Sequence, residues 1–268
     1  MNNPLIVAHR GASYAAPENT IPSFKLAFKE KADFIEGDFW LTKDNEIVCI
    51  HDPDTKRVTE EKIKVKVLSS TLSELRKLDV GSWKGIEYKG IRIPTLQEVL
   101  QIIPEGKGIH IEIKDDRELF LKKLVEILKQ FPIPKDHLPK GRQVRIISFN
   151  PTIVQLAKKY LPEIKTYWIF GWDFSKKKCL KSLAQRRLMQ TLRTINSDGI
   201  DLNAATYIDE KLVKSLRENN LDFCAYDVEK VEDAIRLINL GVNSITTNSP
   251  FKMREEIESV IARNKAIS

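Results

Sequence analysis

Residues 34–40 read FIEGDFW and residues 109–114 read IHIEIK, two apolar runs in which charged side chains recur at every second position. Alternate residues of a strand share a face, so Glu36 lies with Asp38, and Glu112 with Lys114. A lone carboxylate inside an apolar strand costs several kcal/mol unless a cation or hydrogen bonds compensate. Three such groups arriving from neighbouring strands predict a shared cation. A donor set made only of carboxylates favours hard Mg²⁺ or Ca²⁺ over zinc, which prefers histidine or thiolate.

Working outward from these runs, short apolar segments recur as LIVAH (5–9), VRIISF (144–149), KTYWIF (165–170), GIDLN (199–203), LDFCAYDV (221–228) and SITTN (244–248). Most are separated by stretches of helical spacing: IPSFKLAFKEKA (21–32), RELFLKKLVEILKQF (117–131), PTIVQLAKKYL (151–161), DEKLVKSLREN (209–219) and VEDAIRLINLG (231–241). About eight strand–helix units result, the number that closes an α/β barrel of the (β/α)₈ TIM type. Near-continuous apolar strands suit a parallel sheet buried on both faces. A chain of 268 residues, 42% hydrophobic, fits one such barrel. The rhythm breaks once, over residues 52 to about 106, where TLSELRKLD and TLQEVLQII supply short helices; this stretch is read as an insertion at the barrel mouth. No linker divides residues 1–268, which are read as one domain.

The net charge of +7 comes from a lysine excess spread along the chain. Without a basic stripe carrying interleaved aromatics, no nucleic-acid partner is expected, whereas attraction to a small anionic substrate is. Cys49, Cys179 and Cys224 are widely spaced and form no CxxC pair, so neither a disulfide framework nor a zinc site is expected. The opening MNNPLIVAHR lacks the pattern of a secretory signal, and no run approaches the roughly 18–20 apolar residues of a membrane span. The expectation is a cytoplasmic protein without stable membrane insertion.

The first strand ends in AHRG, which delivers His9 and Arg10 side by side, and EIVCIHD (46–52) delivers His51. A single histidine at a strand end is more often structural; two beside a carboxylate cluster are available for proton transfer. Gly11 permits a tight turn after the strand. Asn19 or Thr20 would cap the helix that follows. Cys49 reads as a small core residue, and His110, lying earlier on the strand of Glu112, as a buried or supporting group. The aromatic run TYWIFGWDF (166–174) serves either as substrate wall or as barrel packing. Glu36, Asp38 and Glu112 sum to −3, a divalent ion brings the cluster to −1, and Arg10 with Lys114 brings it to +1, which suits one phosphodiester anion.

Taken together, AHRGASYAAPENTIPSF, the Glu-x-Asp of IEGDFWLTKDNEIVCIHD and the strand IEIK resemble the glycerophosphodiester phosphodiesterase family in order and spacing. Weaker likeness continues through GIRIPTLQEVLQIIP, ISFNP and LGVNSITTNSP, and so spans essentially the whole chain. The resemblance implies a TIM-type barrel with a small inserted subdomain and one divalent cation, Mg²⁺ or Ca²⁺, on Glu36, Asp38 and Glu112. It further implies catalysis by His9 and His51, and a substrate phosphate held by Arg10 and Lys114. The reaction implied is hydrolysis of a glycerophosphodiester to sn-glycerol 3-phosphate and an alcohol such as choline or ethanolamine. Attack by the glycerol 2-hydroxyl, through a cyclic phosphate, is one route. Two positions depart from the family pattern: Tyr226 and Asp227 stand where a tryptophan is usual, making Tyr226 a candidate substrate wall, and Asn248 replaces the aspartate that usually follows the last strand's threonine. Two rival readings are a lysophospholipase D or phospholipase C type lipid phosphodiesterase, which needs an apolar rim on the insertion, and an inactive barrel that only binds a phosphorylated ligand.

Overall fold

The structure, a computed structural model, describes residues 4–60, 62–131, 143–171, 181–205 and 208–267. Cys179 and the last three residues of TYWIFGWDF lie outside the described residues. Eight strands run parallel: β1 (Leu5–Ala8), β2 (Phe34–Leu41), β4 (Gly108–Ile113), β5 (Gln143–Ser148), β6 (Lys165–Phe170), β7 (Gly199–Asn203), β8 (Asp222–Tyr226) and β9 (Ser244–Thr247). β1 pairs with both β9 and β2, which closes the sheet into the expected barrel. A ninth strand, β3 (Ile47–Cys49), folds back antiparallel on the end of β2.

The helices are α1 (Ile21–Lys29), α2 (Leu72–Leu75), α3 (Leu96–Gln101), α4 (Glu118–Gln130), α5 (Pro151–Tyr160), α6 (Lys181–Thr194), α7 (Glu210–Glu218), α8 (Val231–Leu240) and α9 (Pro250–Ile267). Their starts are written locally. Thr20, Thr71 and Thr95 each cap a helix and close a capping box with Ser23, Glu74 and Glu98, while Asn150 caps α5 ahead of a proline at the first turn. Gly241, with φ of 83°, ends α8 in the left-handed conformation.

Strand alternation sorts the side chains into layers. On β4, Ile109, Ile111 and Ile113 join the apolar layer with Phe120, Leu121 and Leu124 of α4, which leaves His110 and Glu112 facing the barrel interior. Within the interior, Ile147, Tyr167, Ile169 and Cys224 pack together. The site therefore lies where the inward faces of the strands reach the C-terminal mouth.

The stretch expected to be an insertion divides in two. Val58, Val67, Leu75, Val80 and Ile93 gather with Val48 and Ile50 of the hairpin into a separate small core. Leu96, Val99 and Leu100 of α3 belong instead to the barrel layer with Ile35, Phe39 and Ile47. α3 is thus wall rather than insertion. TLSELRKLD and TLQEVLQII carry the same cap and the same apolar spacing, so only the core each one meets separates them.

Candidate active site

β1 ends at Ala8, and the backbone turns sharply through Arg10 and Gly11, with φ of 56° and 83°. Gly11 permits this twice over. Its φ favours glycine, and a Cβ there would lie 2.4 Å from Ser23 Oγ. The turn aims the Arg10 N–H at Glu36 Oε2, 2.9 Å away. Glu36 and Asp38 come from β2, and Asp38 stands in register with Glu112 of β4. The sequence-predicted ligands Glu36, Asp38 and Glu112 are all buried, and one oxygen from each lies within 4.8 Å of the other two.

Two cations flank this cluster. Arg10 Nε lies 3.1 Å from Asp38 Oδ2, and Lys114 Nζ lies 3.1 Å from Asp38 Oδ1 and 2.6 Å from Glu112 Oε1. Burial raises the Asp38 carboxyl, but Lys114, Arg10 and His51 outweigh burial and hold it well below the usual carboxylate range. Glu36 and Glu112 go the other way. Burial, then the neighbouring carboxylates, push Glu36 well up, and burial with Asp38 pushes Glu112 to about 8. The buried Glu36 Oε1 has no hydrogen-bond partner. A carboxylate oxygen orphaned in this way, beside two more acids at chelating distance, fits a hard divalent cation.

The histidines reach the cluster from two directions. His9 follows β1, and its Nδ1 lies 2.9 Å from Asn248 Oδ1. Burial, then Arg10, lowers its pKa below the ordinary histidine value, with Asp38 acting in the opposite sense. His51 follows β3, and Trp40 Nε1 holds its backbone carbonyl at 3.1 Å. Its Nδ1 lies 2.6 Å from Asp52 Oδ1. A carboxylate oxygen accepts, so His51 donates from Nδ1 and leaves Nε2 free.

Asn19, which the sequence offered as a helix cap, completes the site together with Glu18, Asp52 and Arg57, which the sequence reading did not single out. Asn19, at φ of 56°, does not cap α1, which Thr20 does; it donates from Nδ2 to Asp38 Oδ2 at 2.7 Å. Its Oδ1 accepts from the Asp38 N–H at 3.2 Å and from the Cys49 thiol at 3.2 Å, which gives the buried Cys49 its place. Glu18 accepts from Arg10 Nη1 at 3.0 Å and, through both oxygens, from Arg57. Arg57, brought by the insertion, also donates to Asp52 Oδ2 at 2.7 Å. One continuous chain of hydrogen bonds therefore joins His51 to Arg10 through Asp52, Arg57 and Glu18. The adjacent acids in PEN and HDP were the available signal, since a carboxylate beside a catalytic candidate often orients it.

Tyr226 ends β8 with its ring 6.1 Å from that of Phe149, and Lys114 Nζ lies 5.7 Å from the Phe149 centroid. These two rings border the Lys114 side of the mouth. His110 is fully buried, its ring edge-on to Phe34 and Tyr167, and neither ring nitrogen finds a hydrogen-bond partner. It lies one layer below Glu112, away from the mouth.

Fold and site together define a (β/α)₈ barrel enzyme whose C-terminal mouth gathers three acids, two flanking cations and two histidines. The chain belongs to the glycerophosphoryl diester phosphodiesterase family, whose model matches residues 9–252, and it is an enzyme of that kind. The Bacillus subtilis protein YhdW is 35% identical over 247 residues, 91% of this chain and 94% of the relative. A glycerophosphodiester phosphodiesterase of Caldanaerobacter subterraneus is 33% identical over 252 residues, 92% of this chain and 94% of the relative. Among solved structures, an Oleispira antarctica phosphodiesterase in complex with the product sn-glycerol-3-phosphate superposes with a TM-score of 0.81 at 29% identity, covering 96% of this chain and 97% of its own. No described helix is long and apolar enough to cross a membrane.

Proposed function

We propose that this enzyme hydrolyses glycerophosphodiesters to sn-glycerol 3-phosphate and an alcohol, with one divalent cation, Mg²⁺ or Ca²⁺, held by Glu36, Asp38 and Glu112. The observation that carries this reading is the approach of those three buried carboxylates within 4.8 Å, with Arg10 and Lys114 beside them. When bound, the ion supplies Lewis-acid polarisation of the phosphate and offsets the charge of the acids. Arg10 and Lys114 stabilise charge growing on the phosphoryl oxygens, because both are fixed in place before substrate arrives. His9, whose pKa is lowered by burial and then by Arg10, is neutral at physiological pH and takes the proton from the attacking oxygen. His51, oriented by Asp52, hands a proton to the departing alcohol. A glycerol 2-hydroxyl is tethered next to the phosphate, which favours it as the attacking group and makes a cyclic phosphate the first product. Water then attacks phosphorus, giving its proton to His51, and the bond to the 2-oxygen breaks as His9 returns its proton there, leaving sn-glycerol 3-phosphate.

A second reading, a lysolipid as substrate, draws on the rim. Lys84 Nζ donates to the Ser13 carbonyl at 2.8 Å and Tyr88 Oη to that of Ala15 at 3.1 Å, so the insertion adjoins the 13–15 loop. Tyr14 in that loop is 77% exposed and Ile86 of the insertion 78%, an apolar edge that a lipid tail would cover.

One assay decides between these readings: release of glycerol 3-phosphate or its lipid counterpart from glycerophosphocholine, glycerophosphoethanolamine and lysophosphatidylcholine, with and without chelator. Turnover of the two water-soluble diesters that chelator abolishes supports the first reading. Turnover confined to the lysolipid supports the second, and full activity in chelator overturns the cation.

A further inference from the structure

We infer that Glu229 is a positioning residue: through Asn248 it locks His9 in the tautomer protonated at Nδ1, so that Nε2 is kept unprotonated for proton abstraction. The inference rests on the reading of His9 as the base.

The argument begins with hydrogen-bond polarity. Asn248 presents Oδ1 to two groups, His9 Nδ1 at 2.9 Å and Ser13 Oγ at 2.8 Å, and Nδ2 to Glu229 Oε1 at 2.9 Å. An amide can be turned end for end with little change in shape, so its neighbours must decide which end faces the imidazole. Ser13 does not decide, because a hydroxyl both donates and accepts. Neutral imidazole does not decide either, because Nδ1 donates in one tautomer and accepts in the other. Glu229 Oε1 does. It accepts the Asn248 backbone N–H at 2.8 Å, and an ionised carboxylate has no proton to give, so the amide end 2.9 Å from it must be the donor. Nδ2 must then face Glu229 and Oδ1 must face His9. An amide oxygen only accepts, so the proton is on Nδ1 of His9.

The surrounding backbone makes the lock rigid. The His9 N–H donates to the Thr247 carbonyl at 2.9 Å, and the Tyr14 N–H donates to the Asn248 carbonyl at 3.1 Å. Thr247 Oγ1 bonds Glu229 Oε2 at 3.3 Å and so fixes the other carboxylate oxygen. Ring, amide and carboxylate are thereby tied to three strand ends, those of β1, β8 and β9.

This device follows from asparagine at position 248. A carboxylate there would accept from Nδ1–H through either oxygen and would need no orienting partner, whereas an amide has one right end and one wrong end. Glu229 supplies the missing direction while leaving His9 beside a neutral group rather than an anion.

The test is ¹⁵N-histidine NMR of the full-length protein, about two pH units above the ordinary histidine value, where the ring is neutral. The His9 ring signals are identified by their loss in His9→Asn. In the native protein the Nδ1–H tautomer is expected to dominate. In Glu229→Ala, shown folded by circular dichroism, the ring should shift to a mixture or to Nε2–H, with kcat down about 10-fold to 10²-fold and KM little changed. Glu229→Gln, which can still offer an oxygen to Nδ2, should restore both the tautomer and most of kcat. Asn248→Asp should keep the Nδ1–H tautomer without help from Glu229, so Glu229→Ala added to it should leave the tautomer unmoved. A native ring mainly in the Nε2–H form, or a tautomer unaffected by Glu229→Ala alone, overturns the inference. Should the lock be observed while His9→Asn retains full activity, the positioning stands and the assignment of His9 as base falls instead.

Discussion

Asn19 holds both ends of Asp38: its Nδ2 donates to Oδ2 at 2.7 Å, and its Oδ1 accepts the backbone N–H at 3.2 Å. A carboxylate so gripped cannot rotate to suit its two cationic neighbours, and so keeps one oxygen aimed at the cluster. Asn19→Ala should lower the affinity for Mg²⁺ or Ca²⁺ by about 10- to 100-fold, as loss of a ligand's orienting partner commonly does. Isothermal titration of the ion-free protein measures this. Native affinity in the variant would reduce Asn19 to a loop residue.

Removing the cation should also reveal the like charges it holds together. Burial raises Glu112 from an ordinary 4.5 to about 8 and moves Glu36 in the same direction. A carboxyl whose folded value exceeds its unfolded one gives its full stabilisation below the unfolded value and loses it as pH rises through the folded one. Above about pH 6.5, clear of His9 and His110, whose lowered values add stability only as pH rises toward 6.5, the ion-free protein should therefore lose thermal stability up to about pH 8, and saturating Mg²⁺ should flatten that slope. Asp38, shifted downward, acts with opposite sign, its contribution being lost only on acidification below this window. Scanning calorimetry across the range, with and without the ion, checks the sign. A metal-free Tm that rises over it would contradict the burial of neutral acids.

His9→Ala and His51→Ala should each cost at least ~10² in kcat while leaving the fold intact, and the native pH profile of kcat/KM should be bell-shaped. His110 provides the contrast. Its ring contacts Phe34 and Tyr167 below the mouth, so His110→Leu should change Tm and leave kcat within a few-fold. Steady-state kinetics beside thermal melts of all three variants separates the two kinds of histidine.

The cyclic route predicts a large response to one missing oxygen. A glycerophosphocholine analogue lacking only the 2-hydroxyl should bind competitively and turn over at least ~10³-fold more slowly, because the effective concentration of the tethered group is lost. Equal turnover of the two compounds would assign the attack to water.

Gly11→Ala should damage the site from a distance. The added Cβ would lie 2.4 Å from Ser23 Oγ and 2.6 Å from the Ser23 carbonyl carbon, at a φ of 83° that alanine avoids. A stability loss of at least about 2 kcal/mol is expected from denaturant unfolding, together with weaker cation binding as the Arg10 N–H moves off Glu36. Unchanged unfolding would mean that the turn has another conformation open to it.

Much of this molecule was legible in one dimension because its determinants act between near neighbours. The period-two pattern of FIEGDFW and IHIEIK placed Glu36, Asp38, Glu112 and Lys114 on inward faces, and the structure has all four there. Threonine before a run of helical spacing started α1, α2 and α3 as capping rules require. The count of strand–helix units closed the barrel. What tertiary structure alone decided depends on which strand ends converge once the barrel closes. His9 meets Asn248 across 239 residues of sequence, and Arg57 meets Glu18 across 39. Asn19 shared the helix-cap reading with Thr20, which does cap, because the sequence does not show Asp38, and α3 passed for insertion because a capped apolar helix does not record which core it will cover. Alternation and capping are fixed by the backbone's own geometry; the direction of an amide or the partner of a carboxylate is fixed only when closure brings the distant donor within hydrogen-bonding reach.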